Sequence, residues 1–501
     1  MSYLGAEYRK VRVRARRRLY IAVVTVLTVV GTLLGFSSAF WYSASISYLL
    51  THIDPELMNS TAYPCTVYIS LNAENLSKLD RSRIVKTWRF GDLVIVKYCA
   101  RSLDEVKSIA QFSISVFGSM KPTFPEPISK WIGMIMTRSE LTETLPIAIA
   151  YSGDIKRDYH RSRYLTGRGV VVCIVDSGVD YLHPDLRDAV KVLVSMLVRT
   201  KEGTPLTWIK GVNGTLEEAW EFERQLVETY NLTEYPWIDC NGHGTHCAGI
   251  VASRGVASNG RYMGLAPASE LVVVKAFSRE GYSSSDIILD ALEWIYRNAE
   301  RFKIKVCSFS WGIPKASDGS DPISLACDKL VEKGIVVCVA MGNNYIFPYT
   351  INIPACAHKV ISVGAMDPYL DQVASFSSAG PTIDGRIKPD CCGAGVWVVS
   401  CLPVTVYSLY EQLIDEYNLP LKIGEYYVMM SGTSMATPCV AGMCAKVVQL
   451  YREVIGREPT PEDVRKTLMS WCEKYALFGA IELKMKDIWM GYGVPREKIR
   501  S

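Results

Sequence analysis

The chain has 501 residues, 49% of them hydrophobic, with 55 basic and 51 acidic side chains and a formal charge of +4. That length exceeds what one hydrophobic core usually holds, so at least two folded parts are expected. The near balance of charge gives no electrostatic reason for a nucleic-acid partner.

Basic residues cluster at the start, at Arg9, Lys10, Arg12, Arg14, Arg16, Arg17 and Arg18, so residues 1–18 form a basic cytoplasmic segment. An uncharged run, Leu19 to Thr51, follows, with its most apolar part in residues 19–45. It is long enough to cross a bilayer, and the positive flank orients the N-terminus to the cytoplasm and the rest outside. The same order of charge and apolarity describes a cleaved signal peptide, with small residues near Ser37–Ala39 or Ser43–Ser45 open to processing. Both fates place the remainder outside the cytoplasm, either membrane-anchored through residues 19–45 or secreted; a buried core helix suits an uncharged run behind a basic cluster poorly.

Fifteen cysteines leave at least one without an intrachain partner. Export permits disulfides. Cys173, Cys307 and Cys338, however, stand inside apolar runs, where a cysteine behaves as a small core residue. No cysteine pair has zinc-ligand spacing backed by histidines. Sequons begin at Asn59, Asn75, Asn213 and Asn231.

Residues 60–122 have the pattern of a compact α+β unit. TVYISL, IVKTWRF and DLVIVKY are strand candidates, and SLDEVKSIAQF carries a helical period. The proline-rich stretch KPTFPEPISK then marks a boundary, opening a linker over 123–164. From residue 165 to 495 the runs GVVVCIV, ELVVVKA, IKVCSFS, GIVVCVA and KVISVGA alternate with helix-length segments. Strands buried on both faces look like this in a parallel sheet covered by helices, so the predicted fold class is α/β, a doubly wound, mostly parallel sheet.

Four motifs carry chemistry. In V-D-S-G-V-D, Asp176 directly follows a strand candidate, the place where open parallel sheets hold reactive groups; an Asp there also serves as a turn or cap residue. In N-G-H-G-T-H-C-A-G-I, glycines flank His243 and let backbone approach closely, while His246 reads as structural. In S-G-T-S-M-A-T-P, Ser434 opens a helix where backbone N–H groups are unpaired, with Pro438 early enough to be tolerated. In V-A-M-G-N-N, Asn343 ends another strand and can donate to an oxyanion.

Asp176, His243, Asn343 and Ser434, in that order and each in its own motif, resemble the subtilisin-like serine proteases, the subtilase or peptidase S8 family. The order separates them from chymotrypsin-like and α/β-hydrolase arrangements. The resemblance spans 165–495 and takes in S-F-S-W-G, F-S-S-A-G-P and a closing G-Y-G. It implies a serine endopeptidase in which Ser434 is the nucleophile, His243 the base and Asp176 its orienting partner, with Asn343 and the Ser434 N–H as oxyanion hole. It implies substrate pairing along Gly281, Tyr282, Ser283 and Ser310, Trp311, Gly312. No cofactor is required for this chemistry, while Asp185 in H-P-D-L matches a position that holds structural calcium in relatives. The resemblance further implies that the unit at 60–122 is a propeptide-like domain of βαββαβ-like order, cut away between about 120 and 160, so that 123–164 includes the start of the mature enzyme. Partners are then polypeptide substrates, the membrane and the chain's own propeptide, with specificity expected to be broad and apolar. Cys439 replaces the family's usual histidine, Cys391, Cys392 and Ala394 replace an apolar pair and a proline, and insertions are expected near 198–237 and 401–427. The alternatives are a catalytically inactive, protease-like binding module at the cell surface and a cytosolic peptidase.

Overall fold

The computed structural model describes residues 63–120, 165–405, 422–474, 476–477, 481–482 and 486–497. The expected segments 1–18 and 19–45 and the linker 123–164 lie outside the described residues. Among the described residues no helix is long and apolar enough to cross a membrane.

The first unit is a four-stranded antiparallel sheet of β1 (Cys65–Asn72), β2 (Ile84–Phe90), β3 (Leu93–Ala100) and, after helix α1 (Leu103–Ala110), β4 (Ser115–Phe117), in the order β2-β3-β1-β4. A Gly91 with φ +65 closes the β2–β3 hairpin, as the Gly-Asp pair suggests. Where a first helix is expected, two 3₁₀ turns stand instead, Ala73–Lys78 and Arg81–Arg83. Asn75, Ser77, Asp80 and Ser82 punctuate that stretch, and Asp80 caps its second turn by accepting from Ser82 N; such residues bond to nearby backbone in place of continuing a helix. Strand alternation divides the sheet. Val67, Ile69, Leu71, Val94, Val96 and Tyr98 pack under α1 with Val106 and Ile109. Tyr68, Trp88, Phe90, Leu93 and Ile95 face the other way and join the core of the second unit.

That second unit is built on β5 (Val171–Asp176), β6 (Val190–Arg199), β7 (Pro205–Ile209), helix α2 (Leu216–Tyr230), helix α3 (His243–Ala252), β8 (Glu270–Lys275), helix α4 (Ser285–Asn298), β9 (Ile304–Phe309), helix α5 (Pro322–Glu332), β10 (Val336–Ala340), β11 (Ile361–Asp367), β12 (Gln372–Val373) and β13 (Cys391–Ala394). The nine-stranded sheet runs β12-β11-β10-β9-β5-β8-β6-β7, with β13 beside β11. All pairings are parallel except those of β7 and β12. A three-stranded sheet, β14 (Val398–Cys401), β15 (Lys422–Ile423) and β16 (Tyr427–Met430), precedes helices α6 (Thr433–Leu450) and α7 (Pro461–Ser470).

Helices cover both faces of the large sheet. Ile174, Val251 and Val440 lie in one core cluster; Val175, Leu289 and Ile323 lie in another on the opposite side. The doubly wound, mostly parallel α/β class is therefore the one observed. From β5 the chain runs outward to β6 and β8, then crosses back to β9, β10 and β11 on the other side. Strand order reverses at β5, and the crevice beyond the carboxyl ends of β5, β8 and β9 is where such sheets place their chemistry.

Candidate active site

Asp176 ends β5 at this switch point and is fully buried. Its Oδ1 accepts from Ser177 N at 2.8 Å and from His243 Nδ1 at 2.8 Å. His243 opens α3, and the approach depends on its neighbour: a Cβ on Gly244 would come to 2.2 Å from Gly178 O and 3.2 Å from Asp176 Oδ1. Asp239 anchors the start of the helix. Its Oδ1 accepts from Gly242 N (2.8 Å) and Ser177 Oγ (2.9 Å), and its Oδ2 from Thr245 N (2.8 Å) and Thr245 Oγ1 (2.7 Å). One carboxylate thus ties the Asp176 turn to the His243 helix.

Burial works against a charged imidazole, but the Asp176 charge and its hydrogen bond, with Cys247 alongside, outweigh it and hold the His243 pKa well above the ordinary value. Since Asp176 binds Nδ1–H, the tautomer is fixed, and Nε2 is the basic nitrogen of the neutral ring. His246 is structural: its Nε2 bonds Val398 O at 3.0 Å and Val428 O at 3.2 Å.

Ser434 lies in the first turn of α6 and is 2% exposed. Its Oγ donates to Ser310 O at 2.9 Å, at the end of the strand-like segment after β9. Pro438, four residues on, has no N–H to give the Ser434 carbonyl, which accepts instead from Ser310 Oγ at 2.9 Å and Cys247 Sγ at 3.4 Å. The proline tolerated by the helix thereby joins α6 to both α3 and the Ser310 segment. Asn343 Oδ1 accepts from Thr433 N at 3.0 Å and Thr433 Oγ1 at 2.9 Å. These two bonds orient the amide, and a Cβ on Gly432 would stand 3.3 Å from its Nδ2, which therefore faces the Gly432–Ser434 turn.

The structure thus gathers Asp176, His243, Asn343 and Ser434 around one crevice. Ser310 and Gly312 border it. Trp311 turns its ring inward, fully buried against Phe309 (5.4 Å between centroids) and Phe277 (6.0 Å). Gly281, with φ +80, and the exposed Tyr282 form the loop between β8 and α4, and Ser283 Oγ donates to Ala276 O at 2.7 Å. Sequence reasoning did not single out Cys247, whose Sγ is 3.8 Å from His243 Nδ1, or Thr433, which orients Asn343. Spacing alone signals Cys247: it is one helical turn after His243.

Asp185 departs from the expected calcium ligand. Its Oδ1 accepts from Ala257 N at 2.8 Å, and its Oδ2 from Ser253 Oγ at 2.8 Å and Tyr427 OH at 2.7 Å. His183 and Cys401 offer further ligand atoms close by. Both His183 nitrogens are used, Nδ1 accepting from Asp185 N and Nε2 donating to Tyr426 O, each at 3.0 Å. A calcium ion needs six to eight oxygen ligands, and N–H and O–H donors converge on this carboxylate instead. The residues present do not fit calcium. Cys439 is buried, its Sγ donating to Ala394 O at 3.7 Å.

A family model described as the Subtilase family matches residues 167–480. Serine protease AprX of Bacillus subtilis is 36% identical over 323 residues, covering 62% of this chain and 63% of AprX. Subtilisin E of the same organism is 29% identical over 314 residues, again 62% of this chain and 63% of the relative. The chain thus spans less than two thirds of either relative's length. Among solved structures, Sphericase superposes with a TM-score of 0.51 at 23% identity, covering 68% of this chain and 97% of its own, a likeness of fold. With the Asp, His, Asn and Ser motifs assembled at the switch point of a doubly wound sheet, this chain belongs to the subtilase family.

Proposed function

We propose that the protein is a serine endopeptidase that hydrolyses peptide bonds of extracytoplasmic polypeptides, matured by removal of its N-terminal unit. The observation that carries this reading is the buried Asp176–His243 bond, with Ser434 and Asn343 held beside it on α6 and at the end of β10.

A substrate strand lies along Ser310–Gly312 and Gly281–Ser283, fixed by main-chain hydrogen bonds. Ser434 Oγ leaves Ser310 O, gives its proton to His243 Nε2 and attacks the scissile carbonyl. The imidazolium so formed is stabilised by Asp176. The carbonyl oxygen, now negative, is taken by Asn343 Nδ2 and the Ser434 N–H at the positive end of α6. His243 then passes its proton to the departing amine, and water, activated in the same way, frees the acyl group. Each catalytic role in these steps is taken by a group of the chain itself, so this reading calls on no cofactor.

The unit at 60–122 acts as the propeptide. Its sheet lies on α4 and α5 through an apolar face and a set of polar anchors. Tyr68 OH donates to Asp286 (2.6 Å), Lys97 Nζ pairs with Asp286 (2.5 Å), Trp88 Nε1 donates to Asp290 (2.8 Å) and Lys329 Nζ pairs with Asp92 (2.6 Å). Met120 O, at its end, accepts from Ser285 Oγ at 2.7 Å, next to the Gly281–Ser283 edge. Cleavage falls between about 120 and 160, and residues 19–45 deliver the chain across the membrane as anchor or cleaved signal.

The test is a fluorophosphonate probe on purified wild type and Ser434→Ala, followed by N-terminal sequencing. Label on wild type alone, with a new N-terminus between about 120 and 160, supports the reading. Folded, processed protein that takes no label refutes it and leaves the binding module.

A further inference from the structure

The loop after β8 carries the Gly281–Ser283 edge, and its backbone is tied both from within and from outside. Ser278 N donates to Tyr282 O and Gly281 N to Ser278 O, each at 2.9 Å, so residues 278–282 close into one tight turn, which the positive φ of Gly281 (+80) permits. Ser283 Oγ fastens the far end to Ala276 O at 2.7 Å. Arg279, at the apex, is exposed, and a loop tip of this kind ordinarily leaves its N–H and C=O to water. Here both are taken by the segment between α2 and α3: Arg279 N donates to Glu234 Oε1 at 2.9 Å, and Arg279 O accepts from Asn241 Nδ2 at 2.9 Å.

That segment is itself anchored on α2. Asn231 ends the helix in the left-handed region (φ 48), its N–H on Val227 O. Tyr235 stacks on Trp220 with ring centroids 5.6 Å apart, and the buried Glu223 accepts from Trp237 N and, at 2.8 Å, from Ile238 N. The second oxygen of Glu234, Oε2, lies 3.5 Å from Lys275 Nζ, on a side chain buried at the end of β8 that also donates to Ile238 O at 2.8 Å. A buried ammonium needs a paired charge. Glu234 thus joins two points of one loop, Lys275 at its root and Arg279 at its apex.

We propose that Glu234 is a positioning residue for substrate: by fixing Arg279 against Lys275 it holds the Gly281–Ser283 edge ready for the main chain of a bound polypeptide, without touching the substrate itself. The inference rests on the catalytic reading above, in which that edge and Ser310–Gly312 flank the substrate strand. An edge already in place needs no ordering when a strand adds to it, whereas a loose loop loses part of each main-chain bond to its own ordering. The effect is confined to substrates long enough to reach the edge, because the reacting groups stand on β5, α3, α6 and the end of β10 with anchors of their own.

The experiment measures kcat and KM on two esters with the same leaving group, one of a single blocked amino acid and one of a tetrapeptide ending in that amino acid. Rates are expressed per site titrated with fluorophosphonate on the matured enzyme, and thermal unfolding checks each variant. Wild type is expected to favour the tetrapeptide through a lower KM. Glu234→Ala removes the acceptor and should shrink that preference about three- to tenfold, the range for one hydrogen bond, through the tetrapeptide KM and with the short-ester kcat within about twofold of wild type. Glu234→Gln keeps an acceptor for Arg279 N and should retain the preference. Should Glu234→Ala not fold, Glu234→Asp, one methylene short of spanning both partners while keeping the charge beside Lys275, carries the same expectation. A folded, labelled Glu234→Ala that keeps the wild-type preference overturns the proposal, and so does one whose short-ester kcat falls as far as its tetrapeptide rate. Loss of the preference in Glu234→Gln as complete as in Glu234→Ala overturns the assignment to the Arg279 bond. A labelled wild type that gains nothing from the longer ester overturns the substrate edge and this inference, whereas a wild type without label overturns the catalytic reading as well.

Discussion

At the scale of single residues, the site rests on buried carboxylates, Asp176 holding His243 and Asp239 holding the turn before it. For the proposed base, the raised His243 pKa has a direct consequence. The imidazole accepts the serine proton only when neutral, so kcat/KM falls as pH drops through that pKa. The acidic limb of the profile is expected above about pH 6.5, the unperturbed imidazole value, and Asp176→Asn should cut kcat by about 10⁴ through loss of the tautomer and of charge stabilisation. An acidic limb below the unperturbed value would contradict the geometry. Asn343→Ala should lower kcat by about 10²–10³ with KM little changed, because that amide acts only on the developing oxyanion. At Asp185, Tyr427→Phe removes one donor from a buried carboxylate and should cost about 1–3 kcal/mol in unfolding free energy. A chelator should leave the unfolding temperature of the wild type unchanged, whereas a fall in its presence would return calcium to the site.

At the scale of elements, helix starts do most of the positioning. The α3 turn approaches β5 only because Gly244 is bare. Gly244→Ala would drive a methyl into Gly178 O, with an expected cost of about 1–3 kcal/mol from overpacking. Activity should fall further than stability explains, since the displaced helix carries His243 away from Asp176; thermal unfolding and kcat/KM on one preparation separate the two. Much of this was legible in the sequence. The five apolar runs named there are β5, β8, β9, β10 and β11, because strands covered on both faces cannot hide their composition. Strand β6 was less visible: Lys191 and Arg199 sit near its ends, and Ser195 interrupts it. The insertion expected near 198–237 proves to hold β7 and α2, whose capping box, Thr215 with Glu218, is a local signal that could have been found.

At the scale of the whole molecule, the two units share one core. The sheet of residues 63–120 buries Trp88 and Phe90 completely, against α4 and its neighbours. Taken away from that surface, it would expose an apolar face on a unit of under about 70 residues, a size at which one core is marginal. Residues 60–122 produced alone are therefore expected to lack a cooperative unfolding transition and to gain one on adding the Ser434→Ala catalytic unit. Trp88→Ala, which removes both the ring and its bond to Asp290, should abolish that gain; cooperative folding of the isolated wild-type unit would show that the shared core is dispensable. This shared face was the part least legible in the sequence, since alternation reveals two buried sides of a strand without revealing what covers each.

On the proposed maturation, the doubly apolar sheet would also set a clock. While one chain connects the two units, the sheet meets α4 and α5 at the effective concentration of a tethered ligand, set by the length of the connecting chain. Cutting that chain leaves every contact in place and changes only the order of the reaction: rebinding becomes bimolecular. On the maturation proposed above, a molecule cut at high concentration would keep the sheet bound, and the same molecule carried into a large volume would lose it by mass action. Dilution, sensed by no dedicated residue, would then decide when the N-terminal sheet leaves α4 and α5.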